Sequence, residues 1–237
     1  MTISWLSTVL GLGLVLGVKH ALDADHLAAI SAIVSERKTI LSSCLVGALW
    51  GLGHTLALVA AGVAVIFLHL ELGPRTALGL EFAVAVMLMG LGANALRKLR
   101  GGATVHAHAH QHGARVHAHP HLHEEREVRV PDTHHGFRLR PVLVGVVHGL
   151  AGSAALMLLV LATIPSPTVG MVYLLVFGVG STGGMLCMSA VMSLPFHLTS
   201  RYFSRADFAV RALAGLFSIG IGVLMAYRIG FVDGLFL

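Results

Sequence analysis

Gly17-Val18-Lys19-His20-Ala21-Leu22-Asp23-Ala24-Asp25-His26-Leu27 places two imidazoles and two carboxylates within seven residues. Apolar sequence flanks it, Leu6 to Leu16 before and Leu27 to Val34 after. Ionisable groups at membrane depth cost roughly 2.5–3.5 kcal/mol each on insertion scales. A cluster of them needs a compensating role, and binding a divalent cation in order to move it across a bilayer supplies one.

The rest of the chain fits a bilayer. It is 56% hydrophobic and only 11% charged, against about 25% charged in soluble domains. That leaves too few charges to solvate a globular surface, and the apolar runs are long enough to span a membrane. The fold class expected is all-α: a polytopic membrane protein of about six transmembrane helices in two inverted three-helix repeats. Many of the 28 glycines suit close helix approach. The formal charge of +5 does not indicate nucleic acid, because the basic residues cluster in loops, where they set topology. The N-terminus lacks the charged start and cleavage site of a secretory signal. Cys44 and Cys187 form no CxxC pair and suggest no disulfide framework.

Hydropathy places spans at about 3–34, 42–68, 77–96, 141–164, 168–194 and 207–229. The first exceeds the ~20 residues a crossing needs, so it is one tilted helix or a helix broken near Gly17. The chain divides into a first transmembrane repeat (1–96), a His-rich segment expected to be disordered (97–140) and a second repeat (141–237). Loops after spans one, three and five hold twelve of the sixteen Lys and Arg residues. The positive-inside rule puts those loops in the cytoplasm, and an integral protein of a bacterial inner (plasma) membrane is expected.

The repeat is visible in sequence. Gly17-Val18-Lys19-His20 returns as Gly145-Val146-Val147-His148, Gly51-Leu52-Gly53-His54-Thr55 as Gly178-Val179-Gly180-Ser181-Thr182, and Gly90-Leu91-Gly92 as Gly220-Ile221-Gly222, all at offsets of 127 to 130 residues. Halves with an odd number of spans face opposite ways, and such repeats hold substrate near the midplane, at their interface.

The candidate metal ligands are His20, Asp23, Asp25, His26, His54 and His148. His20, Asp23 and His26 drift along one flank of a helix while Asp25 lies on another. A straight helix cannot aim all four at one ion. Either the helix is interrupted or Asp25 orients a ligating imidazole. A lone membrane histidine is often only an interhelical hydrogen bonder, a reading that applies to His54 and His148 more than to the cluster. Imidazole suits Ni²⁺, Co²⁺, Cu²⁺ and Zn²⁺ over Mg²⁺ and Ca²⁺. Residues 105–135 hold ten of the sixteen histidines. Of these His106, His108, His110, His112, His117, His119, His121 and His123 form an auxiliary metal-binding set, since alternating histidines suit flexible chelation. Met185, Met188 and Met192 fall on one side of span five and read as core. Glu71 and Glu81 read as interfacial.

His20-Ala21-Leu22-Asp23-Ala24-Asp25-His26 resembles the signature of the nickel/cobalt permease family. The resemblance extends through Trp50-Gly51-Leu52-Gly53-His54-Thr55, His148-Gly149-Leu150-Ala151-Gly152-Ser153 and Phe177-Gly178-Val179-Gly180-Ser181. It implies that His20, Asp25 and His26 select and carry the metal. The longer permeases have eight spans and an acidic motif in a later helix. Here the corresponding region, Gly180 to Met185, has no carboxylate, so the chain is more similar to the shorter, urease-accessory-type branch.

The function expected is therefore secondary transport of Ni²⁺, with Co²⁺ as second candidate, by a protein that is not an enzyme. The ion is cargo and no cofactor is implied. Partners are the divalent ion, the lipid bilayer, and either a second copy of the chain or nickel-enzyme maturation proteins. Two alternatives stand beside it. One is a nickel-binding membrane accessory protein for urease or hydrogenase maturation. The other is a six-helix thiol-redox protein, disfavoured because Cys44 and Cys187 occupy non-equivalent repeat positions.

Overall fold

The structure is a computed structural model that describes residues 3–37, 39–70, 73–100, 105–112, 115–122, 136–164, 166–202 and 204–237. The chain is a helical polytopic membrane protein with one short hairpin between its halves; its helices are α1 (Ile3–His20), α2 (Ala24–Val34), α3 (Ile40–Ile66), α4 (Pro74–Arg100), α5 (Gly136–Thr163), α6 (Pro167–Tyr202) and α7 (Ser204–Tyr227), followed by a π-helical turn, Arg228–Val232. Four helices, α3, α4, α6 and α7, are long and apolar enough to cross a membrane. The α1–α2 pair, bent by 54°, makes a fifth unit, and α5 contributes the apolar stretch Leu139–Gly152 among its described side chains.

The overlong first segment is thus a broken helix. Leu22 N–H donates to Lys19 O and Asp23 N–H to His20 O. This three-residue spacing tightens the last turn of α1 and ends it. Asp23 then adopts extended backbone as the N-cap of α2, and Leu27 N–H donates to Asp23 O to start the new helix. Aspartate favours such junctions because it competes with helical hydrogen bonding in helix interiors. α1 runs parallel to α6, with Gly13 against Tyr173, Gly17 against Phe177 and Gly184 against Ala21.

Glycines set the helix packing, and their contacts recur with the halves exchanged. Gly17 abuts the backbone of Phe177 and Ser181; Gly145 abuts that of Trp50 and His54. Gly53 meets Val142 O, as Gly180 meets Leu14 O. Gly51 meets Thr182, as Gly178 meets Thr55. Gly92 meets Gly215 and Ile219, as Gly222 meets Ala85 and Met89. A side chain at these points would separate the backbones, so small residues are what permit the approach. Polar bonds add to the packing. Thr55 Oγ1 donates to Gly178 O at 3.1 Å and lies 3.0 Å from Thr182 Oγ1, while Ser218 Oγ donates to Leu88 O at 2.8 Å.

The end of α2 opposite its broken junction is fastened by charge. Arg211 donates to Ser35 O and, at 2.8 Å, to Asp207. Glu36 accepts from Lys98 Nζ at 2.7 Å and from Asn94 at 2.9 Å.

The segment expected to be irregular, 97–140, is shorter and partly regular. Helix α4 continues to Arg100 and α5 begins at Gly136, because a helix's internal hydrogen bonds continue without lipid contact. Between them Val105–His112 (β1) and Arg115–Leu122 (β2) pair antiparallel, with His106 opposite His121, His108 opposite His119 and His110 opposite His117. Period-two sequence is compatible with a ribbon, and Pro120 is tolerated in a strand with no second partner among the described residues. His123, His134, His135 and Pro131 lie outside the described residues.

Candidate metal centre

The break between α1 and α2 brings the charged cluster to the centre of the bundle. His26 on α2, His54 on α3 and His148 on α5 are buried, with His20 at the end of α1 half-buried. The His26 ring lies 4.1 Å from that of His148, 4.5 Å from His20 and 5.5 Å from His54, centroid to centroid. Trp50 stacks on His26 at 5.3 Å and forms one wall.

Two carboxylates orient three of the rings. Asp25 Oδ1 accepts from the His26 backbone N–H at 2.9 Å and from its Nδ1 at 3.0 Å, while Oδ2 accepts from His148 Nε2 at 2.9 Å. Asp23 Oδ2 accepts from His20 Nδ1 at 2.8 Å. A carboxylate accepts only, so each bonded nitrogen carries the proton and the other keeps its lone pair. The nitrogens left over, His26 Nε2 and His148 Nδ1, are buried and without hydrogen-bond partners, as are both ring nitrogens of His54. Buried unpaired acceptors are costly. This carboxylate–imidazole arrangement is how proteins present histidine to a metal.

Two sets of three residues could each hold an ion: His20, His26 and His54, and Asp25, His26 and His148, with one ligand atom of each residue within 4.8 Å of the others in its set. Five of the six residues named from sequence meet here, and the sixth has a different place. Asp23 belongs to neither set; its side chain is half exposed and it holds the His20 ring. Asp25, at the N-terminus of α2, sits where the helix dipole favours an anion. Asp23→Asn should therefore weaken metal binding at the centre about tenfold, the lower end of the cost of losing an orienting partner, and leave the number of ions bound unchanged.

A cavity of about 190 Å³ reaches the centre, lined by His20, Asp25, His26, His148, Glu81 and Met225 among others. Glu81 is thus not merely interfacial as expected. The signal was available: it is a carboxylate inside an apolar run, Ala77 to Leu88, and acids within spans mark ion paths. Trp50 was visible only as part of a motif. Of the methionines expected in the core, Met185 is buried and Met188 and Met192 pack against the same cluster. Cys44 and Cys187 are free.

Comparison with known proteins agrees with this chemistry. The chain is 34% identical over 232 residues, 98% of its own length and 96% of the relative's, to the "Urease accessory protein UreH" of Bacillus sp. (strain TB-90). No solved structure matches it. Residues 6–235 match the NicO family model, described as high-affinity nickel-transport protein, and the chain belongs to that family.

Proposed function

We propose that this chain is a secondary permease for Ni²⁺ in which His20, Asp25, His26, His54 and His148 replace the ion's hydration water within the membrane. The observation that carries the reading is the set of oriented imidazoles with unpaired nitrogens around the broken helix. Nitrogen-rich donors favour Ni²⁺ and its neighbours over hard cations. The exchanged glycine contacts support two inverted halves rocking about this centre to alternate access. Lys and Arg density favours the His-rich segment on the cytoplasmic side of a bacterial inner membrane.

The experiment is Ni²⁺ flux into liposomes carrying purified protein, with and without a pH gradient. A permease fills the lumen. The relative's name favours a second reading, an accessory protein that hands nickel to enzyme maturation, and such a protein would bind the ion without filling the lumen. In our reading the loop histidines, His106 to His123, gather ions beside the path and are not part of it. Replacing the ten histidines of the segment by Ala should lower the number of ions bound at equilibrium and leave the initial flux rate unchanged.

A further inference from the structure

We infer that the centre offers the permeating cation two successive positions that share His26 and are occupied one at a time. The inference rests on the transport reading above. The outer position is Asp25, His26 and His148; the inner is His20, His26 and His54.

Access separates them at His54 alone. Asp25, His26, His148 and Glu81 line the open cavity, and so does His20 of the inner set. His54 is 0% exposed and is absent from that lining. Charge separates them too. The outer set includes a carboxylate, which favours capture of a dication as it sheds water; the inner set is imidazole only, and ligating imidazole is neutral. His26 couples them. Its ring is 4.1 Å from that of His148, 4.5 Å from His20 and 5.5 Å from His54, whereas the rings of His54 and His148 are 6.4 Å apart. Its Nδ1 bonds Asp25, which leaves one nitrogen, Nε2, for a metal. One lone pair cannot serve two ions. An ion moving inward exchanges Asp25 and His148 for His20 and His54 while His26 stays bound, so it is never released in the interior. The Asp25 hydrogen bond holds the Nε2 lone pair ready at the inner position, where Asp25 is no longer a ligand.

The test is Co²⁺ titration, read by visible absorption, of the full-length chain with its loop histidines changed to Ala. That protein should bind one ion. His148→Gln should retain one ion with an all-nitrogen spectrum from protein ligands, and His54→Gln one ion with a mixed oxygen–nitrogen spectrum. His26→Gln should weaken binding at least tenfold beyond either. Should either variant fail to fold, His148→Ala substitutes for His148→Gln and His20→Gln for His54→Gln, with the same spectra expected. Both classes should lose liposome flux, because each blocks one position. Loss of binding in His148→Gln and His54→Gln to the level of His26→Gln would mean a single composite site and overturn the inference. So would identical spectra in the two variants, or two ions bound at once. Absence of any ion in the parent protein would instead overturn the transport reading itself.

Discussion

His26→Ala is expected to abolish nickel flux into liposomes while the protein still inserts and folds. His26 belongs to both ligand sets, and its Nε2 is buried without a partner. Trp50 and His148 pack against its ring and leave no room for a replacement ligand. The loss should exceed the roughly 10–100-fold that removing an orienting partner costs, because a ligand is removed and not its support. The change also frees Asp25 from one of its two imidazoles, leaving a carboxylate without its balanced hydrogen bonds. Asp23→Asn, which acts only through His20, is the internal comparison. Equal losses in the two variants would show that distance from the ion does not rank these residues.

The second large effect is on stability. Gly17→Ala and Gly145→Ala are each expected to destabilise the folded protein by about 3 kcal/mol, the upper end of overpacking costs. The added methyl meets backbone in both cases, at Phe177 for Gly17 and at Trp50 for Gly145. Backbone cannot swing aside as a side chain does, so α1 must part from α6, or α5 from α3. Gly220→Ala is the control: nothing lies within 4 Å of the added carbon, and replacing a helical glycine by Ala in open space stabilises by roughly 0.5–1 kcal/mol. Thermal unfolding in detergent ranks the three. Because Gly17 and Gly145 make equivalent contacts, their losses should be similar. A Gly17→Ala protein as stable as Gly220→Ala would contradict the packing.

Much of this was legible from residues alone. The cluster at His20 to His26 declared itself because four ionisable groups in an apolar run have no cheap structural explanation. The glycines at 17, 51 and 90 and their counterparts at 145, 178 and 220 marked the repeat. Gly17, Gly51 and Gly145 turn out to be points of backbone contact, Gly178 meets the Thr55 side chain, and Gly90 and Gly220 stand in open space. Other features depend on three-dimensional placement. Asp23 and Asp25 fall on different flanks in sequence, but which ring each one holds is decided only once α1 ends at His20 and α2 restarts at Ala24. That turn directs Asp25 toward His148 across 123 residues of chain and leaves Asp23 beside His20. Likewise the approach of Glu81 to the cavity depends on how α4 packs, which hydropathy does not encode. Around the His-rich segment the helices run past the apolar stretches, to Arg100 and from Gly136, because charge marks where a membrane span stops, not where hydrogen bonding stops.

The central claim is that buried nitrogen donors from α1, α2, α3 and α5 strip water from one nickel ion. X-ray absorption of the nickel-loaded protein, with its loop histidines changed to Ala, reads that ligand shell directly. The account predicts two or three imidazole rings around the metal in the parent and at least one fewer in His26→Ala. A shell of oxygen atoms alone, indistinguishable from hydrated nickel and unaltered by His26→Ala, would contradict it.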